Sequence, residues 1–328
     1  LFAGFTEYMP GRNRGTWSSR VSFIGNWSYP LCSLIAMGLT PLISAEWNWR
    51  VQLLIPAILS LIATALAWRY FPESPRWLES RGRYQEAEKV MRSIEEGVIR
   101  QTGKPLPPVV IADDGKAPQA VPYSALLTGV LLKRVILGSC VLIAMNVVQY
   151  TLINWLPTIF MTQGINLKDS IVLNTMSMFG APFGIFIAML VMDKIPRKTM
   201  GVGLLILIAV LGYIYSLQTS MLLITLIGFF LITFVYMYVC YASAVYVPEI
   251  WPTEAKLRGS GLANAVGRIS GIAAPYAVAV LLSSYGVTGV FILLGAVSIV
   301  VAIAIATIGI ETKGVSVESL SIDAVANK

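Results

Sequence analysis

Eight long apolar runs dominate this sequence, and they restrict the folds that it can adopt. Each run approaches or exceeds the roughly 20 residues that a helix needs to cross the hydrocarbon core of a bilayer. Because lipid offers no partner to backbone N–H and C=O groups, such a run crosses the membrane as a helix that satisfies its own hydrogen bonds. The runs lie at 17–39, 51–70, 134–160, 170–192, 200–217, 221–246, 260–283 and 287–310.

The low charge content also indicates a membrane protein. Charged residues make up 12% of the 328 residues and apolar residues 56%, whereas a soluble domain carries about twice that charged share. Residues 1–9 resemble the last turns of a further helix. We therefore predict an all-α membrane protein with eight complete transmembrane helices and a partial one, and we expect that the full chain begins upstream of Leu1.

Lysine and arginine predict the orientation of the chain in the membrane. Of the 24 basic residues, all but three lie in alternate loops on one side. Arg50 and Lys168 lie on the other side, and Arg268 lies inside an apolar run. The positive-inside rule makes the basic side, with the C-terminus, cytoplasmic. We expect a multi-pass protein of the inner or plasma membrane, and the net charge of +7 requires no nucleic-acid partner.

Enzyme chemistry finds little support in the sequence. The sequence contains no histidine and no glycine-rich motif of the kind that binds phosphate groups. Cys32, Cys140 and Cys240 are isolated within apolar runs and lack the spacing of metal ligands. We therefore expect neither an enzyme nor a metal or other cofactor.

Charged motifs recur where apolar runs end. Glu7–Gly15 and Glu249–Gly259 both place a glutamate at the end of a run, a proline three residues later and an Arg-Gly pair before the next run. Glu73–Arg76 and Glu311–Gly314 form a second repeated pattern. Repeats of this kind are typical of secondary transporters.

The longest polar stretch, at about 72–122, separates two complete runs from six. Its first part, at 83–100, has apolar residues at helical spacing between charges and predicts an amphipathic helix, and the proline-rich remainder predicts a flexible linker. The predicted division is the rest of an N-terminal six-helix bundle at 1–80, a cytoplasmic linker at 81–132, a C-terminal six-helix bundle at 133–314 and a cytoplasmic tail at 315–328.

Three motifs resemble those of the major facilitator superfamily. Asp193–Lys198 resembles the family's Asp-Arg-x-Gly-Arg-Arg loop between spans eight and nine, with Pro196 in place of glycine. Pro72–Leu78 resembles the motif after span six, and Glu311–Gly314 the motif after span twelve. Sugar porters, metabolite:proton symporters and organic-ion transporters share these motifs. The resemblance implies the major facilitator fold, with this chain supplying spans four to twelve of a twelve-span plan.

The resemblance also implies a cytoplasmic gate. In the family, charges at these places pair when the cytoplasmic side is shut and separate when it opens, and interfacial pairs of modest strength suit that role. The predicted gate residues are Glu7, Arg14, Glu73, Arg76, Asp193, Arg197, Glu249 and Arg258.

Arg268 is the strongest candidate for a substrate ligand. It lies about 14 Å of helical rise from Gly259, near the bilayer midplane, where an arginine that faces lipid costs at least about 2.5–3.5 kcal/mol. No carboxylate in the sequence lies at that depth. Gly267–Ser270 also resembles organic-anion transporters, which carry an arginine here where organic-cation relatives carry an aspartate. The alternatives are a structural partner for a carboxylate in preceding helices and a snorkelling side chain.

Polar residues in the run 134–160 predict a second part of the site. Asn146, Gln149, Tyr150 and Asn154 recur at steps of three and four residues, which brings most of them to one helix face. Hydrogen bonding between helices is the alternative role.

Tyrosines in the run 221–246 predict an aromatic wall. Tyr238 and Tyr241 share a helix face and suit a flat or apolar substrate body. Their alternative role is helix packing.

These features favour a secondary active transporter that moves a small organic anion, such as an aromatic or other carboxylate, by alternating access. Proton symport is implied by the resemblance alone. The expected partners are an anionic small molecule, protons and the lipid bilayer. A neutral-solute porter of the sugar type and a non-transporting receptor on the same scaffold remain alternatives.

Overall fold

The computed structural model describes residues 14–70, 73, 75, 78, 82–103, 105, 122–192, 194–252 and 255–312, with the backbone alone at 14–19 and at Ala45. Across these ranges the chain is helical and contains no strand, as predicted. Contacts divide the chain into two compact units. One comprises 1–18 and 43–117, and the other comprises 19–42 and 118–328. The division expected from the sequence, with a boundary near residue 80, stays a prediction.

Four helices come first in the chain. They are α1 (Arg14–Asn26), α2 (Ser28–Leu39), α3 (Ala45–Tyr70) and α4 (Tyr84–Thr102). The last of these lies where the sequence predicts an amphipathic helix, and it ends at Gly103, whose φ of 63° gives the left-handed cap that glycine favours. At its start, the hydrogen bond from Arg83 lowers the pKa of the exposed Glu86 carboxyl.

The second unit contains the remaining helices. They are α5 (Tyr123–Leu126), α6 (Gly129–Thr162), α7 (Leu167–Met178), α8 (Gly180–Val191), α9 (Arg197–Ser216), α10 (Met221–Cys240), α11 (Val247–Glu249) and α12 (Lys256–Ile308). A π-helix at Tyr241–Tyr246 connects α10 to α11. Its wider turn is a local departure from the regular α-helical hydrogen-bond pattern.

Six helical stretches in the described ranges are long and apolar enough to cross a membrane. They are Glu46–Tyr70, Gly129–Thr162, Leu167–Val191, Arg197–Ser216, Met221–Glu249 and Lys256–Ile308. The last has 53 residues and is interrupted at Gly286, whose φ of 66° is not helical, so it consists of helices at 256–285 and 287–308. These two segments match two of the predicted runs. The count of eight complete helices and a partial one stays a prediction.

Two of the predicted helices are interrupted, and proline explains both interruptions. The run predicted at 17–39 is divided at Trp27, and the run predicted at 170–192 is divided at Phe179. Each break lies three residues before a proline, Pro30 or Pro182. Because proline has no N–H, the carbonyl four residues earlier loses its helical partner and the turn loosens.

Glycine permits close packing within the second unit. A Cβ built on Gly184 would lie 2.2 Å from the backbone oxygen of Thr233, and one on Gly180 would lie 2.4 Å from that of Phe229, so α8 and α10 pack backbone to backbone. A Cβ on Gly267 would lie 2.8 Å from the Cβ of Leu142, which brings α12 equally close to α6. Small residues at four-residue spacing allow this approach in membrane helices.

The starts of α6, α9 and α12 and the end of α11 lie at the same end of the second unit. Contacts of Gly138 with Ile250 and Ala263, and of Arg197 with Glu249, bring them together. We call this end the basic end because it carries Lys133, Arg134, Lys194, Arg197, Lys198, Lys256 and Arg258.

Candidate functional site

An ion pair joins two of the predicted gate residues at the basic end. Arg197 donates from Nε to Glu249 Oε2 at 3.1 Å and from Nη2 to Glu249 Oε1 at 3.2 Å, a bidentate arrangement. The Arg197 side chain is 7% exposed and that of Glu249 is 35% exposed. A third nitrogen of Arg197 donates to the backbone oxygen of Met192. The pair is therefore partly shielded from solvent and geometrically specific.

The segment after α12 completes this network. Glu311 accepts hydrogen bonds from the backbone N–H groups of Arg197 at 2.7 Å and Lys198 at 3.1 Å, so its carboxylate caps the first turn of α9, where negative charge is favoured. Thr312 donates to Glu249 Oε2 at 2.6 Å. The hydroxyl of Tyr246 donates to the oxygen of Ile310 and accepts from its N–H. Three distant motifs thus meet at one place.

The other predicted gate residues lie elsewhere or are not described. Glu7, Arg76 and Asp193 lie outside the described residues, and Arg14 contributes only its backbone, in the first turn of α1. In the first unit, Glu73 lies within electrostatic reach of Arg83. In the second unit, the guanidinium of Arg258 lies 5.2 Å from the centre of the Tyr123 ring, a cation–π contact. Gating by these groups stays a prediction.

Arg268 and Tyr150 form the centre of the predicted substrate site. Arg268 lies about 18 Å of helical rise from the start of α12, is exposed, and donates from Nη1 to the Tyr150 hydroxyl of α6. Gly271 allows this contact because a Cβ there would lie 3.0 Å from the Tyr150 ring. Helices α6 and α12 run parallel, so residues further along one helix contact residues further along the other.

The neighbourhood of Tyr150 includes a residue that sequence analysis did not assign to the site. The buried Tyr236 hydroxyl of α10 lies within electrostatic reach of Tyr29, Gln149 and Tyr150. Its ring meets that of Tyr29, on α2, edge to face, with centroids 5.1 Å apart. No described residue gives the Tyr236 hydroxyl a hydrogen bond of normal geometry. Tyr236 stands two residues before Tyr238, but nothing in the local pattern separates one tyrosine from the other.

The amides of α6 divide into buried and exposed groups. Asn146 is 2% exposed and donates to the oxygen of Leu142 at 2.7 Å, while its side-chain oxygen has no partner among the residues described. Gln149 is 9% exposed and neighbours Tyr236. Asn154, one turn beyond Tyr150, is exposed. The structure therefore joins Tyr150 to Arg268 and places Gln149 beside Tyr236, and it shows neither contact for Asn154.

Tyr238 and Tyr241 do not join this group. Tyr238 is 1% exposed and donates to the oxygen of Val141 at 3.1 Å. Tyr241 is fully buried, its ring stacks on that of Tyr246 with centroids 5.0 Å apart, and its hydroxyl points at Gly201 of α9. Their observed contacts are those of helix packing. The described ring that contacts Arg268 is that of Tyr150, with Tyr236 near Tyr150 and Tyr29 packed on Tyr236.

Known proteins resemble this chain over nearly its whole length. The inner membrane metabolite transport protein YdjE of Escherichia coli (strain K12) is 44% identical over 322 residues, which are 98% of this chain and 70% of that protein. The niacin transporter NiaP of Acinetobacter baylyi is 24% identical over 318 residues, which are 97% of this chain and 70% of that protein.

Solved structures show the same fold. The partially occluded inward-open form of the xylose transporter XylE from E. coli aligns with a TM-score of 0.71 at 18% identity, covering 96% of this chain and 68% of that one. The sequence profile of the Major Facilitator Superfamily matches residues 2–275. Together with the transport proteins above, this match confirms the expected family and excludes the enzyme reading. The chain belongs to the Major Facilitator Superfamily of membrane transport proteins.

Proposed function

We propose that this metabolite transporter moves a small organic anion through a site at Arg268. The observation that carries the proposal is the pairing of Arg268. Its described partner is the neutral phenol of Tyr150, and no carboxylate of the described residues lies within ion-pair distance of it. A guanidinium at mid-helix in a membrane protein requires compensation, and a substrate carboxylate supplies it.

The groups around Arg268 favour an aromatic carboxylate. Tyr150 and Tyr29, both half-buried, offer ring surface to a flat substrate body, the buried Tyr236 packs against Tyr29, and Gln149 offers an amide to a polar ring atom. The relative NiaP is named a niacin transporter, and niacin is a pyridine carboxylate. This combination of a cation, aromatic rings and one amide supports an aromatic acid over a sugar, which lacks a charge for Arg268 to bind.

Alternating access and proton coupling complete the proposal. The Arg197–Glu249 pair and the Glu311 cap hold three helix ends together at the basic end. Separation of these groups would open that end, and their pairing would close it. In the open form the Arg197 guanidinium would contact solvent or lipid headgroups instead of Glu249. The ion pair therefore stabilises the closed form without making closure permanent. An inward proton gradient then supplies the driving force.

The test compares an acid with its uncharged amide. Nicotinate and nicotinamide share a ring and differ in charge, so uptake of the two by reconstituted protein isolates the contribution of Arg268. Loss of a charge-assisted hydrogen bond costs about 1.5–3 kcal/mol, which is roughly ten- to hundredfold in affinity. We expect Arg268→Ala to weaken nicotinate by that factor and to leave nicotinamide nearly unchanged. Arg268→Lys should restore only part of the loss, because lysine lacks the planar fork.

The same assay separates the alternatives. Equal losses for acid and amide in Arg268→Ala would assign Arg268 a structural role and favour a neutral-solute porter. Binding without flux in the wild-type protein would favour a receptor. If other aromatic acids replace nicotinate as the preferred substrate, the charge test still applies to each acid and its amide. Collapse of the pH gradient with an ionophore should abolish concentrative uptake, and unchanged accumulation would exclude proton symport.

A further inference from the structure

A second group of buried polar atoms lies at the basic end, apart from Arg268 and from the Arg197 network. Arg134, in the second turn of α6, is 3% exposed, and its Nε and Nη1 have no hydrogen-bond partner among the described residues. A guanidinium stays protonated at physiological pH. Its burial therefore leaves a permanent charge that calls for an anionic partner.

Two more buried donors share this feature. The indole Nε1 of Trp251, which is 1% exposed, and the hydroxyl of Ser260 both lack a partner within the described part of the chain. Buried polar atoms in native structures are nearly always hydrogen-bonded, to protein, water or a ligand. Four unpartnered donor atoms on three residues at the basic end point to an acceptor that binds them together.

The packing of α6 against α12 brings these residues to one place. A Cβ on Gly138 would lie 3.3 Å from the Ala263 Cβ and 3.7 Å from Trp251 Cζ2, the ring atom next to the carbon that carries Nε1. Arg134 lies one helical turn before Gly138 and so shares its stripe. On the facing helix, Ser260 lies three residues before Ala263, on the side that meets α6.

Glycine lets the indole occupy this position. A Cβ on Gly259 would lie 2.4 Å from Trp251 Cε3, so only glycine leaves room for the ring between the start of α12 and α6. The indole therefore lies between the two helices, with Cζ2 beside Gly138, one helical turn after Arg134.

The surroundings of Arg134 favour an anion. The two carboxylates described at the basic end are already bound, Glu249 to Arg197 and Thr312, and Glu311 to the backbone of α9. Lys133 and Lys256, both exposed, add positive charge nearby. A positive field and unpartnered donors are the conditions under which proteins bind phosphate groups.

We propose that Arg134, Trp251 and Ser260 form a binding site for a phosphate group, separate from the transport site. The oxygens of a phosphate group are arranged tetrahedrally around phosphorus. One phosphate group can therefore accept hydrogen bonds from donors on α6, on α12 and on the segment between α11 and α12. The group belongs either to the headgroup of an anionic lipid or to free phosphate. In the lipid case, the second turn of a membrane helix at the basic end lies at headgroup depth. The bound phosphate neutralises Arg134 and stabilises the contact of α6 with α12.

The test measures thermal stability of the purified protein in detergent, with phosphatidylglycerol, phosphatidylcholine or inorganic phosphate added. A ligand that binds only the folded state raises Tm by an amount that grows with the logarithm of its concentration relative to Kd. We expect phosphatidylglycerol or phosphate to raise Tm of the wild-type protein, and Arg134→Gln to weaken that binding by about tenfold or more. Lys133→Gln removes an exposed charge from the same turn and serves as the matched control, and it should weaken the response far less than Arg134→Gln does. Trp251→Phe keeps the ring, removes the N–H and should lose part of the response.

The outcomes identify the source of the phosphate. A response to phosphatidylglycerol alone assigns the site to lipid, and a response to inorganic phosphate assigns it to the free ion. If Arg134→Gln does not fold, native mass spectrometry of the wild-type and Lys133→Gln proteins should show one retained phosphate-bearing species. Absence of that species, no rise in Tm with either probe, or an equal rise in Arg134→Gln would overturn the proposal.

Discussion

At the scale of single residues, Tyr150 of α6 is the described hydrogen-bond partner of the Arg268 guanidinium on α12. Its hydroxyl accepts from Arg268 and so keeps its own proton free to donate. We infer that this arrangement orients the guanidinium toward the substrate and adds a neutral donor for a carboxylate oxygen. Both residues are candidates from the sequence, where their roles in substrate binding stay predictions, and their contact was not predicted.

Tyr150→Phe tests this orientation. Loss of one neutral hydrogen bond costs about 0.5–1.5 kcal/mol, so affinity for an aromatic acid should fall about two- to tenfold, and affinity for the amide should change less. Tyr213→Phe, which removes a hydroxyl from an exposed tyrosine of α9, is the matched control and should leave both affinities unchanged. Equilibrium binding to the purified protein measures the effect. An equal loss of acid and amide binding in Tyr150→Phe would argue against orientation of Arg268.

At the scale of helices, the basic end depends on contacts between segments that are far apart in sequence. The first residue of α9 is Arg197, the last residue of α11 is Glu249, and Glu311 follows α12. Their hydrogen bonds connect the start of α9 to the ends of α11 and α12. Arg197 and Glu249, two of the predicted gate residues, form an ion pair in the structure. The capping of α9 by Glu311 was not predicted, because a helix N-terminus does not indicate in sequence which distant carboxylate will reach it.

Glu249→Gln tests the role of the ion pair in closing the basic end. The neutral amide cannot balance the charge of Arg197, which is 6% exposed, so we expect transport to slow by about tenfold while substrate affinity stays within about twofold of the wild-type value. Flux and binding in proteoliposomes measure the two effects separately. Glu96→Gln disrupts the exposed pair with Arg100 and is the control, since such pairs contribute about 1 kcal/mol or less. Wild-type flux in Glu249→Gln would remove the gate hypothesis.

Gly184→Ala tests the close packing of α8 on α10. The added methyl would meet the backbone oxygen of Thr233, which cannot rotate away, so the helices must separate. Overpacking of this kind costs about 1–3 kcal/mol, and we expect Tm to fall. Gly203→Ala is the matched control because a Cβ there meets nothing within 4 Å, and removal of a helix glycine stabilises by up to about 1 kcal/mol. Similar Tm values for the two variants would contradict the packing argument.

At the scale of the whole molecule, the charge asymmetry predicts which end faces the cytoplasm. The basic end carries Lys256, and the first turn of α7, which follows the other end of α6, carries Lys168; both side chains are exposed. The positive-inside rule assigns the first to the cytoplasm and the second to the outside. Orientation determines the direction in which the proposed gate opens.

Cysteine labelling tests this orientation in intact cells. In a background without Cys32, Cys140 and Cys240, we expect Lys168→Cys to react with an impermeant maleimide from outside, and Lys256→Cys to react only after the membrane is permeabilised. A cysteine at Gly115, in the predicted cytoplasmic linker, should behave as Lys256→Cys does. The reverse pattern would invert the topology.

The sequence by itself determined that this chain is helical, that it lies in a membrane, that one end is basic and that it is a transporter of the major facilitator type. These conclusions rest on the length of apolar runs, on the bias of charge between loops and on short motifs, all of which are local properties of the chain. The breaks at Trp27 and Phe179 were not predicted, because a proline does not always break a helix: Pro56, Pro157 and Pro275 lie inside helices that continue past them.

The tertiary structure alone decided which side chains meet. In water, an amphipathic pattern shows which face of a helix is buried, but in lipid both the packed and the lipid-facing sides are apolar, so the rotation of a helix is not visible in its sequence. For that reason Tyr236, and not Tyr238 or Tyr241, lies beside Gln149 and Tyr150. For the same reason the burial of Arg134 became visible only once α6 was packed against α12.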